Sequence, residues 1–484
     1  MIRKLLKWGA AGLGVAVLAG ALLYLFGLRL VMYGGGNIHA EFVRSAATRA
    51  DAVARHRTEQ RAAAAPAPET PATATPVRPS GDVRAVHTPA PVAASAPATA
   101  PYWIGFRGPD LGGRYEEQAI LTTWPASGLT PLWKQPVGEG YSSFAIGGGR
   151  AFTIEQRGPL EVVAAYDIDT GREQWTTTWE ARFSEMLGGD GPRATPMWHD
   201  GVVFALGGAG ELRALDDRTG RTLWRTNILQ DNQATNLQWG MAASPLVVDD
   251  LVVVLPGGEH GQSVATYDRR TGTRRWTALD DPQSYASPML ATLSGRRQIV
   301  VLSASRLMGL SVDRGDILWQ FPWTATVPFV AAQPVVVSGN RVFVSSADGA
   351  AMVEIVESDG RLSAREVWRT NRMKNDFAGS VLHDGYLYGL DKSILACLDA
   401  ATGDLKWKGG RYGFGQVVLA GGHLIVLTED GQLALVRATP EKHDEVARFA
   451  AIEGKTWNYP ALAGGRLLVR NLQEMAAFDL RPAR

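Results

Sequence analysis

The chain has 484 residues, of which 20% are charged, and its 49 Lys+Arg against 48 Asp+Glu leave a net charge of +1. That length exceeds one ordinary domain, and the balance excludes both a disordered acidic chain and a nucleic-acid binder acting through a basic surface. The single cysteine, Cys397, excludes an intrachain disulfide framework and a Cys-rich zinc module, whereas 15 Trp call for a structural explanation.

The charge is uneven along the chain. Residues 1–101 carry 11 Lys+Arg and 5 Asp+Glu, whereas residues 102–484 carry 38 and 43, so a basic stem precedes a mildly acidic globular part. Arg3, Lys4 and Lys7 precede an uncharged run from Trp8 to Leu28, which Arg29 ends. A run of this kind is about the ~20 residues that cross a bilayer and exceeds a signal-peptide core, so residues 1–36 are expected to form an uncleaved signal-anchor. The basic residues before the run place the N-terminus on the cytoplasmic side. Cys397 lies far from this segment, which excludes an N-terminal lipidated cysteine.

Residues 37–63 are Ala-rich with Arg and Glu and are expected to form a helical or charged stalk. Residues 64–101 are rich in Ala, Pro and Thr, with nine of the 26 prolines between Pro66 and Pro101. Such a composition buries too little apolar surface to fold, and as polyproline II it reaches on the order of 100 Å. It reads as a disordered linker to a globular unit at 102–484.

The globular part is repetitive. An Asp is followed by Thr-Gly three and four residues on and by Trp at eight, as Asp167-Thr170-Gly171-Trp175 and Asp216-Thr219-Gly220-Trp224. The pattern returns as Asp268-Thr271-Gly272-Trp276 and Asp399-Thr402-Gly403-Trp407, with degenerate copies at Trp319, Trp368 and Phe449. Trp133 has no Asp before it, and the final Ala477-Phe478-Asp479-Leu480 has no Trp after it, so the first and last strands are expected to share a blade. Eight apolar β-rich segments alternate with the motifs. Most carry a central Gly/Asp/Asn turn pair (Gly147-Gly148, Asp200-Gly201, Asp384-Gly385, Gly421-Gly422), and several open on Pro, such as Pro196, Pro245 and Pro288. Four-strand repeats at ~40–50 residues predict an all-β, eight-bladed β-propeller. An array of immunoglobulin-type sandwiches is the alternative, and it leaves the split end motifs unexplained.

The unit Ala-x-Asp-x-x-Thr-Gly-x-x-x-Trp, as at Ala165–Trp175 and Ala214–Trp224, resembles the tryptophan-docking motif of the PQQ-like, quinoprotein-type propeller repeat family. The resemblance covers roughly Trp103 to Leu480 and includes the opening segment Trp103-Ile104-Gly105-Phe106-Arg107-Gly108-Pro109. It implies that Trp133, Trp175, Trp224, Trp276, Trp319, Trp368 and Trp407 pack between blades, several against Gly171, Gly220, Gly272 and Gly403. One branch of the family comprises quinone-dependent alcohol and sugar dehydrogenases. Another is the non-catalytic, BamB-like scaffold of outer-membrane protein assembly. The dehydrogenases commonly use a vicinal disulfide that one cysteine cannot make, and no Glu/Asn/Asp set maps onto their calcium ligands. The expectation is therefore no catalytic or metal residue and no required cofactor, with PQQ and calcium as the alternative. The eight His show no H-x-x-x-H spacing, and neither a nucleophile elbow nor a phosphate loop occurs.

Loops leading into the innermost strands of a propeller converge on one mouth of its channel. Here they carry Tyr141, Arg193, Trp239, Tyr285, Phe329, Lys374, Asn375, Asp376, Arg411, Tyr412, Trp457 and Tyr459. Aromatic and Arg side chains of this kind form binding hot spots, although some can simply fill the ring. The expected partner is an envelope protein or polymer, including cell-wall glycan, with the inner membrane reached through the N-terminal helix and no nucleic acid. The expected location is the bacterial inner membrane, with the propeller in the periplasm.

Overall fold

The computed structural model describes residues 20, 23, 25–34, 38–42, 45–64, 103–326 and 330–482. Most of the run read as a membrane span, nearly all of the linker and Phe329 lie outside the described residues. Among the described residues, no helix is long and apolar enough to cross a membrane.

Eight blades of four antiparallel strands make up the globular part, and Arg114–Tyr115 adds a short parallel fifth strand to the blade at 416–450. Blade 1 comprises Ala145–Gly147, Arg150–Arg157, Leu160–Asp167 and Glu173–Glu180. Blade 2 comprises Met197–His199, Val202–Leu206, Glu211–Asp216 and Thr222–Asn227. Blades 3 to 7 repeat this order over 246–278, 289–322, 335–370, 381–411 and 416–450. Blade 8 takes Ala461–Ala463, Arg466–Arg470 and Glu474–Asp479 from the end of the chain and Pro131–Pro136 from its beginning. Trp133 stands opposite Ala477 in that last ladder. The two incomplete motifs therefore complete one blade and remove the free edge that an open sheet would present.

Burial explains the sequence pattern of each blade. Val202–Leu206 and Glu211–Asp216 lie in the interior of blade 2 and are packed on both faces, so they read as nearly continuous buried runs. The outermost strands Glu173–Glu180 and Glu445–Ala450 alternate half-buried and exposed, because only one face meets protein. Turn pairs with two positive φ values join the first two strands of several blades, as at Asp384 (φ 46°) and Gly385 (φ 82°). In blade 1 the pair is Gly148-Gly149, one residue later than the sequence reading placed it, and blade 4 uses Ser294-Gly295.

The tryptophans fasten neighbouring blades. Trp175 of blade 1 donates its indole N–H to the Asp217 carbonyl of blade 2 at 2.9 Å, and a Cβ on Gly220 would stand 2.5 Å from its ring. Trp133 meets Ile168 and Gly171, Trp224 meets Arg269 and Gly272, and Trp368 meets Ala400 and Gly403 in the same way. Trp276 docks on Val312 and Gly315, and Trp407 reaches the Thr439 carbonyl. Each turn is braced by its Asp: Asp216 Oδ1 accepts from the Thr219 amide at 2.9 Å and the Thr219 hydroxyl at 2.8 Å. Trp319 departs from the pattern, and its indole donates to Gln298 within its own blade. The reason is local: the outer strands of blade 5, Gly349–Ser358 and Arg361–Thr370, are long and joined by a tight Asp359-Gly360 turn, so no Thr-Gly turn stands where Trp319 would dock.

A second fastening surrounds the channel. The amide of Ser143 donates to Thr195, Thr195 to Ser244, Ser244 to Ser287, and Ser287 to Gln333, at 2.9–3.1 Å throughout. Each acceptor sits on the blade after its donor. Thr195, Ser244, Ser287 and Gln333 each precede the proline that introduces an innermost strand. One end of the channel is crossed by residues 103–115. The Trp103 carbonyl accepts from Ile146, the Ile104 carbonyl from Trp198, and Arg107 donates to the Ser380 carbonyl at 2.6 Å.

The structure places a strand at the end of the stretch read as anchor, and a strand and a helix within the stretch read as stalk. Leu28–Met32 pairs with Ile38–Phe42 as an antiparallel hairpin, and Ala46–Ala64 is helical. Arg57 of the helix is only 2% exposed. It donates to Gln135 Oε1 and to the Pro136 carbonyl, both at 2.9 Å, and pairs with Glu173 at 3.3 Å. The helix is thereby seated across the seam where blade 8 meets blade 1.

Candidate functional site

The loops that enter the innermost strands and the second-to-third-strand loops share one end of the ring, opposite the Trp-docking turns. They enclose a cavity of about 450 Å³. Tyr141, Arg193, Trp239, Tyr285, Asp376 and Trp457 from the sequence-derived rim line it. Phe377, Phe414, Glu185 and Lys392 also line it and were missed by sequence reasoning. The signal for the two phenylalanines was present: both lie in loops leading into innermost strands, beside residues that were selected.

The other rim residues lie elsewhere. Tyr412 is buried, and its hydroxyl bonds His443 Nε2 at 2.7 Å and Glu445 at 2.6 Å. Gly410 and Gly413 on either side have positive φ and turn this loop so that Tyr412 faces the blade interior while Phe414 faces the cavity. Arg411 is exposed and donates to Ser393. Tyr459 is buried against Arg107, whose guanidinium lies 4.9 Å from its ring, at the closed end of the channel. Asn375 is buried and donates to the Leu390 carbonyl. Lys374 donates its amide to Asp391 and does not line the cavity.

Aromatic faces make most of the wall. Tyr141 stacks on Trp457 at 5.4 Å, Phe377 lies 5.0 Å from Trp457 and 5.5 Å from Phe414, and Trp239 meets Tyr285 at 5.4 Å. Two cations rest on these rings. Lys455 Nζ is 4.2 Å from the Trp457 centroid, and Arg193 is 5.5 Å from Tyr141 while it pairs with Glu185 at 2.9 Å. Burial draws the Lys455 ammonium down to about 8, although Glu185 and Glu429 oppose the shift.

The carboxylates are less well matched. Glu429 is 6% exposed and accepts from Trp457 Nε1 at 2.7 Å, the Phe414 amide at 3.0 Å and the Gly34 amide at 2.6 Å. Asp376 is 9% exposed, and its Oδ2 is buried without a hydrogen-bond partner. Burial pushes the Asp376 carboxyl above the ordinary aspartate range despite the pull of Lys392 and Lys374. Its backbone φ of +35° is unusual for a non-glycine residue. Among the described residues, neither Asp376 nor Glu429 makes an ion pair.

The N-terminal hairpin reaches this wall. Met32, Tyr33 and Gly34 line the cavity, and the Phe414 ring leaves no room for a side chain at Gly34. Leu30, Ile38 and Phe42 of the hairpin remain exposed.

A planar, polyanionic quinone held through calcium would need a metal-holding group and free cations. Among the described residues no three His, Cys, Asp or Glu side chains gather as a metal-holding group. The one arginine of the wall is already paired with Glu185, Asp376 brings like charge, and Lys392 is the remaining cation of the lining.

Fold and site together define a tryptophan-docked, eight-bladed propeller with an aromatic mouth. The family model described as "Outer membrane protein assembly factor BamB" matches residues 159–409, more than half of the chain. The chain belongs to this PQQ-like propeller family. It is 24% identical over 384 residues to the outer membrane protein assembly factor BamB of Burkholderia pseudomallei, covering 74% of this chain and 89% of the relative. The crystal structure of BamB from Moraxella catarrhalis superposes with a TM-score of 0.54 at 16% identity, over 74% of this chain and 99% of that one. The quinohemoprotein alcohol dehydrogenase of Comamonas testosteroni reaches a TM-score of 0.56 at 12% identity, over 79% and 81% of the two chains. At these identities the two structural likenesses establish the fold alone.

Proposed function

We propose that this protein is a non-catalytic scaffold of the bacterial envelope that holds a partner protein at the mouth of its propeller, in the manner of an outer-membrane assembly factor. The observation that carries this reading is the aromatic wall of Tyr141, Trp239, Tyr285, Phe377, Phe414 and Trp457, gathered at one end of a ring of the assembly-factor family. Large rigid rings around a concave opening are the side chains that supply most binding energy in protein interfaces. Membrane tethering belongs to the same proposal and rests on Arg3, Lys4 and Lys7 before the uncharged run Trp8–Leu28. Such a tether would replace a lipid anchor and place the propeller in the periplasm. Envelope glycan is a further candidate ligand, because stacked rings also hold sugars.

Photocrosslinking from positions 239 and 457 in cells tests the reading. Adducts with an envelope protein are expected, and Trp457→Ala is expected to abolish those formed from position 239. Charge reversal at Lys374 and Arg411, which lie off the cavity, is expected to leave the adducts intact. Crosslinks that form only from those two positions would overturn the assignment of the mouth. Titration of residues 102–484 with pyrroloquinoline quinone and calcium addresses the dehydrogenase alternative: saturable binding with dye-linked turnover would establish it.

A further inference from the structure

The mouth carries a charge pattern that a generic scaffold does not require. Asp376 is nine-tenths buried, lines the cavity, and leaves Oδ2 without a partner. Glu429 is buried behind the same wall and is satisfied by neutral N–H donors. An unpaired buried carboxylate is costly, and an arriving counter-charge would offset that cost. The nearby cations are committed or do not reach. Arg193 is paired with Glu185, Lys455 lies on Trp457 and donates to the Leu187 carbonyl, and Lys392, which lines the cavity, and Lys374 attract Asp376 at longer range but form no ion pair with it among the described residues. Aromatic faces attract cations through their quadrupoles, and two rings of this wall already hold Lys455 and Arg193.

Resting on the reading of the mouth as a protein-binding site, we propose that it selects a basic side chain, lysine or arginine, presented by a peptide segment of the partner. The cation enters the cavity that Asp376 shares with Trp457, Phe377 and Tyr285. A peptide is favoured over a free amine because polypeptide already occupies part of the wall: the Tyr33-Gly34 turn of the hairpin packs on Phe414 and donates its amide to Glu429. The site thus accommodates a backbone turn beside an aromatic cavity in which Asp376 is the unpaired carboxylate among the described residues.

The test uses the full chain and two probes, an acetylated, amidated Ala-Ala-Lys-Ala-Ala peptide and its norleucine counterpart, with binding followed by tryptophan fluorescence. The lysine peptide is expected to bind at least tenfold more tightly, and Asp376→Asn is expected to remove that preference while leaving the norleucine peptide unchanged. Phe377→Leu, a milder change of the wall, is expected to weaken the lysine peptide severalfold. Equal affinity for the two peptides, or a preference that survives Asp376→Asn, would overturn the proposal. Binding of phosphatidylethanolamine vesicles that depends on Asp376, without binding of the lysine peptide, would assign the pocket to a lipid amine instead. If crosslinks from position 457 persist while the peptide preference is absent, the scaffold reading stands and only the cation assignment falls. Loss of both would remove both.

Discussion

Gly220 shows how much of this fold rests on single backbone positions. Its φ is +72°, and the Trp175 ring fills the space of a side chain. Gly220→Ala therefore combines left-handed strain with overpacking and is expected to cost about 2–4 kcal/mol, measured by urea denaturation. Gly149, which also has positive φ but open space around it, is expected to tolerate Ala with a loss of about 1 kcal/mol. Glu155 is the buried counterpart on the ionic side. Burial alone would push its carboxyl up, but Arg157, Arg470 and Arg57 outweigh that and hold it at about 2, with a hydrogen bond from Tyr166. A depressed carboxyl stabilises the fold above its ordinary pKa of 4.5, and that contribution is lost as pH falls toward about 2. Thermal melts between pH 5 and 2 are thus expected to show falling stability, and Glu155→Gln is expected to lower the melting temperature at neutral pH and to flatten the profile.

At the scale of elements, the helix Ala46–Ala64 is the informative case. Its sequence presents no continuous apolar stripe, and an isolated helix of 19 residues is marginal in water. Its stability comes from the propeller, through buried Val53 and through Arg57, which bonds Gln135, Pro136 and Tyr166 and pairs with Glu173. Arg57→Ala is expected to release the helix, so that limited trypsin digestion cuts at Arg49, Arg55 or Arg61 much faster while residues 103–482 resist. Unchanged cleavage would show that other contacts seat the helix. The blades behave differently. Their strand pattern, turn pairs and Thr-Gly-Trp motifs were legible along the chain, because each blade is a local unit with its own period. The failure at Trp319 was not legible, since it depends on the shape of the following blade.

For the whole molecule, closure of the ring decides stability. Glu474–Asp479 lies between Arg466–Arg470 and Pro131–Pro136 and joins the chain's two ends in blade 8. A chain ending at Gln473 exposes two strand edges and is expected to self-associate or aggregate, read by size-exclusion chromatography with light scattering. The channel is crossed at one end by residues 103–115, with Arg107 fully buried across it, so the aromatic mouth is its other end. The N-terminal hairpin lies at that mouth, and its exposed Leu30, Ile38 and Phe42 place an apolar edge beside the binding wall. The propeller is therefore engaged by the segments that precede the linker and is not simply suspended beyond it.

The repeat count, the split first and last motifs and the tryptophan positions determined the eight-bladed ring from sequence alone. Periodicity and turn chemistry are local properties, and a blade that cannot bury its faces alone has to stack on its neighbours. The identity of the binding wall was only partly written there. The loops into the innermost strands were recognisable, but which side chain of each loop faces the cavity depends on positive-φ residues such as Gly410 and Gly413 and on contacts with distant loops. Tyr412 and Tyr459 turned inward, whereas Phe377 and Phe414 joined the wall. The unpaired Asp376 and the docking of Arg57 likewise arise only when residues distant in sequence, or in different blades, are brought together. Tertiary structure decided these because burial and ion pairing are properties of the assembled ring.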